Sequence, residues 1–184
     1  MRRALLLLTT VVIALVGGVT PVSARAADDV GVLDVRIADG WYTVQARHSG
    51  KCLDVYRSST ADRANVQQYT CNTTSNQIWY FRLKLYATNV YHYEVRALHS
   101  DKCLDVEGPS VADGANVHQF GCRDTSNQRW LLFPSGAVGY YEIRAFHSDK
   151  CLDVYRSLTT NGTNVQQYTC RGTNNQFWRL TRFA

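Results

Sequence analysis

The sequence predicts an all-β fold assembled from three equivalent units. The block Cys-Leu-Asp-Val occurs at residues 52–55, 103–106 and 151–154. Each copy is followed at a fixed distance by a second cysteine, an aromatic residue and an Asn-Gln-x-Trp ending. Short stretches around each block alternate apolar and polar residues, and no segment longer than a turn has helical periodicity. Because polar residues keep the register as well as core residues, the repeat carries information about function and fold together.

Each repeat contains four short predicted strands. In the first strand, which is residues 42–46 in repeat one, apolar and polar residues alternate. A His-Ser-Gly-Lys or His-Ser-Asp-Lys segment follows this strand and is typical of a hairpin turn. Cys-Leu-Asp-Val is the second strand, and residues 65–69 and 77–81 are the third and fourth in repeat one. An open stack of three repeats would need distinct end caps. Closure into a ring or barrel removes the exposed sheet edges instead, and we predict closure.

The expected domain runs from residue 41 to 184, with repeats at about 41–83, 92–133 and 140–182. The length differences fall between the repeats, since Trp79 lies 24 residues before the next repeat's cysteine and Trp130 lies 21 residues before it. A longer loop is therefore predicted near residues 86–90. Residues 27–40 precede the repeats as an N-terminal arm. It could add a strand through Val30, Val32, Val35 and Ile37, or it could equally be a loose arm.

The first 26 residues are predicted to be a secretory signal peptide. Arg2 and Arg3 precede the apolar run 4–19, and Ala24-Arg25-Ala26 is a small-x-small cleavage site. We expect cleavage after Ala26, secretion, and no membrane span, because the apolar run is too short to be one. Removing the three arginines of this segment reduces the net charge from +5 to +2. The remaining sequence has no basic cluster, which argues against a nucleic-acid partner.

Six cysteines in an exported chain indicate disulfide bonds. Many pairings are possible in principle, but pairing within each copy uses the same 19-residue spacing three times. Metal binding is the poorer alternative because the sequence has no Cys-x-x-Cys spacing. The favoured pairs are Cys52/Cys71, Cys103/Cys122 and Cys151/Cys170.

The threefold pattern of Cys-Leu-Asp-Val, Val-Gln-Gln-Tyr-x-Cys and Asn-Gln-x-Trp resembles the ricin-type (R-type) lectin and carbohydrate-binding module family. The resemblance extends from Trp41 to the C-terminus. It implies an all-β fold of the β-trefoil type, with three pseudo-symmetric repeats and a barrel closed by three hairpins. It also implies a shallow sugar pocket on each repeat, for galactose-type or for xylan- and arabinan-type glycans.

Each repeat contains the residue types that one sugar ring requires. A carboxylate can accept hydrogen bonds from two hydroxyls, an amide can both donate and accept, and an aromatic ring covers the apolar C–H face. The resemblance implies that the aspartate anchors the sugar, the aromatic residue stacks and the asparagine bonds a hydroxyl. It places the first glutamine (or His118) at the pocket rim, and the second glutamine behind the aspartate as an orienting residue. The three sets are Asp54, Gln67, Tyr69, Asn76 and Gln77; Asp105, His118, Phe120, Asn127 and Gln128; and Asp153, Gln166, Tyr168, Asn175 and Gln176.

Repeat two departs from the other two, because His118 replaces a glutamine and Phe120 lacks a hydroxyl. We therefore expect its site to be the weakest or the most different. In an alternative interpretation the aspartates and asparagines only shape turns, and the tyrosines are core residues. A turn role does not require the full set at identical spacing in three repeats.

Other recurring residues are interpreted as structural. The tryptophans of the Asn-Gln-x-Trp motif and the leucine and valine of Cys-Leu-Asp-Val are expected in the core. The histidines at 48, 99 and 147 could bind a metal on a threefold axis, but one histidine per repeat follows from duplication alone. We favour a position at a strand end beside the hairpin turn.

The predicted function is that of a secreted, monomeric, non-catalytic lectin that needs no cofactor and binds glycans or polysaccharides. A secreted protease inhibitor is one alternative, but it would act through a single loop and leave three equivalent sugar sets unexplained. A glycosidase is another alternative, although it needs two carboxylates facing one bond and each repeat offers one positioned aspartate.

Overall fold

The structure of the protein is a computed structural model that describes residues 36–86 and 90–183, without the side chains of Tyr86 and Val90. The predicted signal peptide and the arm residues Val30, Val32 and Val35 lie outside the described residues. Twelve strands are present in the described chain. They are β1 (Gly40–Ala46), β2 (Cys52–Val55), β3 (Val66–Tyr69), β4 (Ile78–Tyr86), β5 (Val90–Ala97), β6 (Cys103–Val106), β7 (Val117–Phe120), β8 (Arg129–Pro134), β9 (Tyr140–Ala145), β10 (Cys151–Val154), β11 (Thr163–Tyr168) and β12 (Phe177–Arg182).

Six of these strands form a closed antiparallel barrel. β1 pairs with β4, β4 with β5, β5 with β8, β8 with β9, β9 with β12, and β12 returns to β1. Every barrel strand therefore has two partners, which leaves no open sheet edge for another chain to pair with. The predicted closure is confirmed, and the barrel is sealed where the first strand meets the last.

The remaining strands form three hairpins that cover one end of the barrel. β2–β3, β6–β7 and β10–β11 each pair over four residues. The hairpins also contact one another, through β11 with β3 and through bridges from Asn65 to His118 and from Asn116 to Gln166. A closed barrel capped by three hairpins is a β-trefoil, which confirms the predicted fold class. We call β1–β4, β5–β8 and β9–β12 lobes one, two and three.

The core fills the barrel and continues under the hairpin cap. Trp79, Trp130 and Trp178 are fully buried, as are the valines of the three Cys-Leu-Asp-Val blocks. Each tryptophan indole N–H donates to the carbonyl of the leucine in that block, at 2.9–3.1 Å. Burying the indole therefore leaves no unpaired donor. The predicted core role of these residues is confirmed, and the indole ties β4, β8 or β12 to the strand that carries the aspartate.

The three disulfides join the predicted pairs, Cys52–Cys71, Cys103–Cys122 and Cys151–Cys170. Each bond closes a 19-residue segment that contains the hairpin of its own lobe. Such closure restricts the unfolded chain, and three disulfides are typical of extracellular proteins.

Three buried glutamines and three half-buried histidines join each lobe to the next. Gln68 is fully buried and donates to the carbonyls of Leu158 and Thr160 in lobe three. His48 Nε2 hydrogen-bonds the same Leu158 carbonyl at 3.1 Å. The symmetry-related residues of lobes two and three repeat these contacts. The recurring histidines therefore have the structural role that we favoured, and they stabilise the junctions between lobes.

Two expectations need correction. Gln77 does not lie in the fourth strand, because residues 75–77 form a 3-10 turn and β4 begins at Ile78. For the arm the sequence leaves both alternatives open; its described residues 36–39 are not in a strand, and Ile37 packs on the core with its backbone N–H donating to the Tyr93 hydroxyl. The predicted longer loop is a hairpin in which β4 pairs with β5 as far as Tyr86 and Val90. No helix in the described residues is long and apolar enough to cross a membrane.

Candidate carbohydrate-binding site

A buried aspartate is the centre of each candidate site. Asp54 lies on β2 and is only 4% exposed. Gln67 donates to its Oδ1 at 2.8 Å, while Asn76 and Gln77 donate to its Oδ2 at 2.7 and 3.0 Å. These partners come from β3 and the 75–77 turn, so the carboxylate joins three parts of its lobe. One acceptor position on Oδ1 is not used by these amides, since each carboxylate oxygen has two.

The same arrangement recurs in the other two lobes. Asp153 accepts from Gln166, Asn175 and Gln176 at 2.8–3.0 Å. Asp105 accepts from Asn127 and Gln128 at 3.0 and 2.8 Å. His118 Nε2 replaces the third amide and lies 2.9 Å from Asp105 Oδ1. The structure thus brings the predicted aspartate, asparagine and second glutamine together in all three lobes.

The predicted rim position of Gln67, His118 and Gln166 is wrong. These residues are 3–5% exposed, and each bonds the aspartate of its own lobe. They occupy the strand directly opposite the aspartate, as in the register pair Asp54 and Gln67. Cross-strand neighbours on one face lie within hydrogen-bonding reach, so the side chain forms the pocket floor. The second glutamine does lie behind the aspartate, and Gln77 also bonds the Thr70 carbonyl and the Asn72 N–H.

Burial and hydrogen bonding act in opposite directions on the carboxylates of lobes one and three. Burial raises the pKa of Asp54 and of Asp153 above the usual value of 3.8. The surrounding amide donors lower the pKa again, but they do not cancel the effect of burial. Each carboxylate therefore takes up a proton at a higher pH than an exposed aspartate does.

The predicted aromatic residues form one wall of each pocket. Tyr69 is 39% exposed, and Tyr168 and Phe120 are half-buried, so each ring is partly accessible at its pocket. The pockets of lobes one and three have volumes of about 420 and 430 Å³. The lobe-two pocket is larger, at about 670 Å³. All three are open depressions with an apolar wall and a polar floor.

The opposite wall was not predicted from the sequence. Tyr56 and Arg57 line the pocket of lobe one, and Tyr155 and Arg156 line that of lobe three. Both arginines have positive φ, at 54° and 50°, in a tight turn directly after the Cys-Leu-Asp-Val block. That turn directs the tyrosine toward the pocket. The signal in the sequence was Tyr-Arg-Ser after the first and third blocks, where the second block is followed by Glu-Gly-Pro.

A residue of the neighbouring lobe lines the pockets of lobes two and three and lies beside a floor residue in lobe one. Gly162 of lobe three lies beside Gln67 of lobe one, and Gly114 of lobe two lies beside Gln166 of lobe three. At both glycines φ is positive, and an added Cβ would lie 3.7–3.8 Å from the glutamine oxygen. The corresponding position in lobe one is Arg63, which lines the lobe-two pocket. Lobe two therefore has an arginine where the other pockets have a glycine.

Lobe two has further charged residues at its pocket. Glu107 stands where the other lobes have a tyrosine, and Arg123 lies 4.8 Å from the Phe120 ring centroid. Asp124 also lines this pocket and bonds Arg129. The site is therefore more polar and more charged than the other two. That this site is the weakest or the most different in binding stays a prediction.

Comparison with known proteins establishes the family. The family model for ricin-type beta-trefoil lectin domain-like proteins matches residues 32–120 and 126–184. The chain belongs to this family. The family is one of lectin-like domains, and lectins are proteins that bind carbohydrate.

Three proteins that this chain resembles are of different kinds. Flavastacin of Elizabethkingia meningoseptica is 33% identical over 104 residues, which are 55% of this chain and 23% of flavastacin. The designed 3-fold symmetric protein ThreeFoil is 47% identical, with a TM-score of 0.72 over 79% of this chain and 100% of that one. The exo-β-1,3-galactanase 1,3Gal43A of Clostridium thermocellum is 30% identical, with a TM-score of 0.73 over 78% of this chain and 30% of that one. This chain thus spans less than a quarter of the curated relative.

Sugar binding at lobes one and three is expected to weaken in mild acid. Protonating Asp54 or Asp153 places a hydrogen on an oxygen that otherwise accepts from amides and that is predicted to accept from a sugar hydroxyl. Because burial raises both pKa values, binding should fall above the pH at which an exposed aspartate titrates. Isothermal titration with a bound glycan between pH 7 and pH 4, at about one-unit steps, measures this. Tryptophan fluorescence at each pH shows whether the fold is intact, and constant affinity of the folded protein across the range would contradict the prediction.

Proposed function

We propose that the protein is a secreted, non-catalytic lectin that binds glycan polymers through three sugar sites on one rigid domain. The observation that carries the proposal is the triplicated pocket, in which a buried aspartate with one unused acceptor position faces an aromatic wall. In each site the carboxylate and the asparagine would bond sugar hydroxyls, and Tyr69, Phe120 or Tyr168 would cover the C–H face.

The proposed ligands are galactose-type glycans or xylan- and arabinan-type polysaccharides. A relative that is 30% identical over the matched part is an exo-β-1,3-galactanase, which supports the galactose class. The pockets are shallow and open, so a single sugar in one of them should be held weakly. Three pockets on one domain raise the effective concentration of each neighbouring site along a polymer. The protein would act as a monomer and without a cofactor.

The arrangement of carboxylates supports a non-catalytic role. Asp54 and Asp153 are the only carboxylates among the residues that line their pockets, whereas glycoside hydrolysis needs two facing one bond. Lobe two has three carboxylates at its pocket, of which Asp105 is held by three donors and Asp124 is bonded to Arg129. Glu107 also lines this pocket, so the support from a single pocket carboxylate applies to lobes one and three.

A glycan array on the protein from Ala27 onward tests this function, followed by binding to an insoluble form of the best polysaccharide. We expect binding to the polymer to exceed binding to its free monosaccharide by about two orders of magnitude. Absence of binding to any glycan, or inhibition of a protease panel instead, would overturn the proposal. Equal affinity for polymer and monosaccharide would overturn the multivalent part alone.

A further inference from the structure

The pockets of lobes one and three have nearly the same lining residues. Nine positions line the pocket in both lobes, and eight of them hold the same residue type. The exception is the residue after the second cysteine, which is Asn72 in lobe one and Arg171 in lobe three. Any difference in what the two pockets bind therefore depends largely on this position.

The two residues at this position are used differently. The Asn72 carboxamide oxygen accepts from the N–H and the hydroxyl of Thr74, at 3.2 and 2.6 Å, so this neutral side chain is held by its own loop. Arg171 is exposed, and its Nη2 lies 3.4 Å from the Tyr168 hydroxyl. Its guanidinium lies 4.9 Å from the centroid of the Tyr168 ring, the ring proposed to stack on the sugar.

A second guanidinium flanks the same pocket. Arg156 lies 5.0 Å from the Tyr155 ring centroid on the opposite wall. Within the described part of the chain, neither Arg156 nor Arg171 has a carboxylate within ion-pair distance. Asp153, the carboxylate at the pocket floor, already accepts three amide hydrogen bonds. The lobe-three pocket therefore presents two unpaired cations to its ligand.

We propose that lobe three selects an acidic sugar, one whose carboxylate or sulfate group binds Arg171 while the ring lies on Tyr168 and bonds Asp153. Guanidinium groups bind such oxyanions through paired, charge-assisted hydrogen bonds. Lobe one has the same pocket without the cation of Arg171, and it would bind neutral sugars. This assignment rests on the proposed sugar-binding function and adds the charge class of the ligand.

We do not assign the lobe-two pocket to acidic sugars. Arg123 occupies the position of Arg171 and lies over Phe120, but Glu107 replaces the tyrosine of the opposite wall. A carboxylate facing the same space opposes a second anion. Lobe three is therefore the site where the arginine is free of an opposing charge.

The experiment isolates lobe three by combining Tyr69→Ala and Phe120→Ala. The affinity of this double variant is measured for three matched galacto-oligosaccharides. One is neutral, one ends in galacturonate and one is 6-sulfated. We expect at least one acidic form to bind about fivefold more tightly than the neutral form at low salt, with the preference reduced at high salt. Whether the uronate or the sulfate binds better identifies the anion.

Two reciprocal substitutions assign the preference to one position. Arg171→Asn should remove the preference for the acidic form, and Asn72→Arg should create it in a protein with only lobe one intact. Arg179→Asn is the matched control, because it removes the same charge from a side chain that lies 4.7 Å from the Tyr140 ring, outside the pocket residues. A preference that persists in Arg171→Asn, or equal binding of neutral and acidic forms, would overturn this inference alone. Failure to bind any of the oligosaccharides, together with an empty glycan array, would overturn the proposed function as well.

Discussion

Replacing Asp153 with alanine is expected to lower the free energy of unfolding by about 3–5 kcal/mol. The aspartate is 4% exposed and accepts hydrogen bonds from Gln166, Asn175 and Gln176. Without the carboxylate, three buried amide donors lose their acceptor at once, and each unsatisfied donor is costly. Chemical denaturation followed by tryptophan fluorescence measures the loss.

Two further variants separate this effect from a general loss of charge. Asp153→Asn keeps one acceptor oxygen for two of the donors, and we expect it to lose roughly half as much stability. Asp149→Asn removes the charge of a carboxylate of the same lobe whose side chain is 70% exposed and pairs with Arg144. Asparagine tolerates the positive φ of 53° at this position, so the change should alter stability by less than about 1 kcal/mol. If Asp153→Ala were no more destabilising than Asp149→Asn, the buried network would not have the structural role described above.

Replacing Tyr69 and Tyr168 together by alanine is expected to weaken binding to an insoluble polysaccharide by about a hundredfold while leaving the fold intact. Both tyrosines lie at pocket openings, and Tyr69 is 39% exposed, so their loss creates no buried cavity. Each substitution removes the proposed stacking surface of one site. The effects of the two substitutions on affinity for a polymer multiply, because fewer sites remain to hold the polysaccharide after one site releases it.

The measurement is a depletion isotherm on the polysaccharide, with thermal unfolding as the check on the fold. Tyr91→Ala is the matched control, because this half-buried tyrosine contacts Arg36 and lies outside the residues that line the pockets. Each single substitution should have a roughly tenfold effect. Unchanged binding by the double variant would show that these rings do not contact the ligand.

Much of the fold could be predicted because the repeat fixes local structure three times over. The period located twelve short strands, and the 19-residue cysteine spacing pointed to the pairs that the structure contains. The core tryptophans followed from apolar residues at equivalent positions. The position of Gln77 could not be predicted in this way, because a 3-10 turn before a strand does not differ from that strand in polarity pattern.

The pocket was predicted only in part, for reasons of geometry. The aspartate, asparagine and aromatic residue could be predicted because their spacing is conserved among the three copies of this chain. Tyr56 and Arg57 were missed because a turn with positive φ aims the side chain, and such a turn is not visible in the residue types Tyr-Arg-Ser. Gly114 and Arg63 were missed because they line the pocket of the neighbouring lobe, and chain order does not show which lobes touch.

The contacts between lobes three and one have a consequence for synthesis on the ribosome. Gly162 lies against Gln67, and Asn161 accepts a hydrogen bond from the backbone N–H of Thr70. Strand β12 likewise closes the barrel on β1. The candidate pocket of lobe one is the first to be translated, but the residues that pack beside Gln67 and close the barrel beneath it belong to the final repeat. A nascent chain that holds only the first two repeats lacks these contacts, so we expect this pocket to be completed only when the whole domain folds.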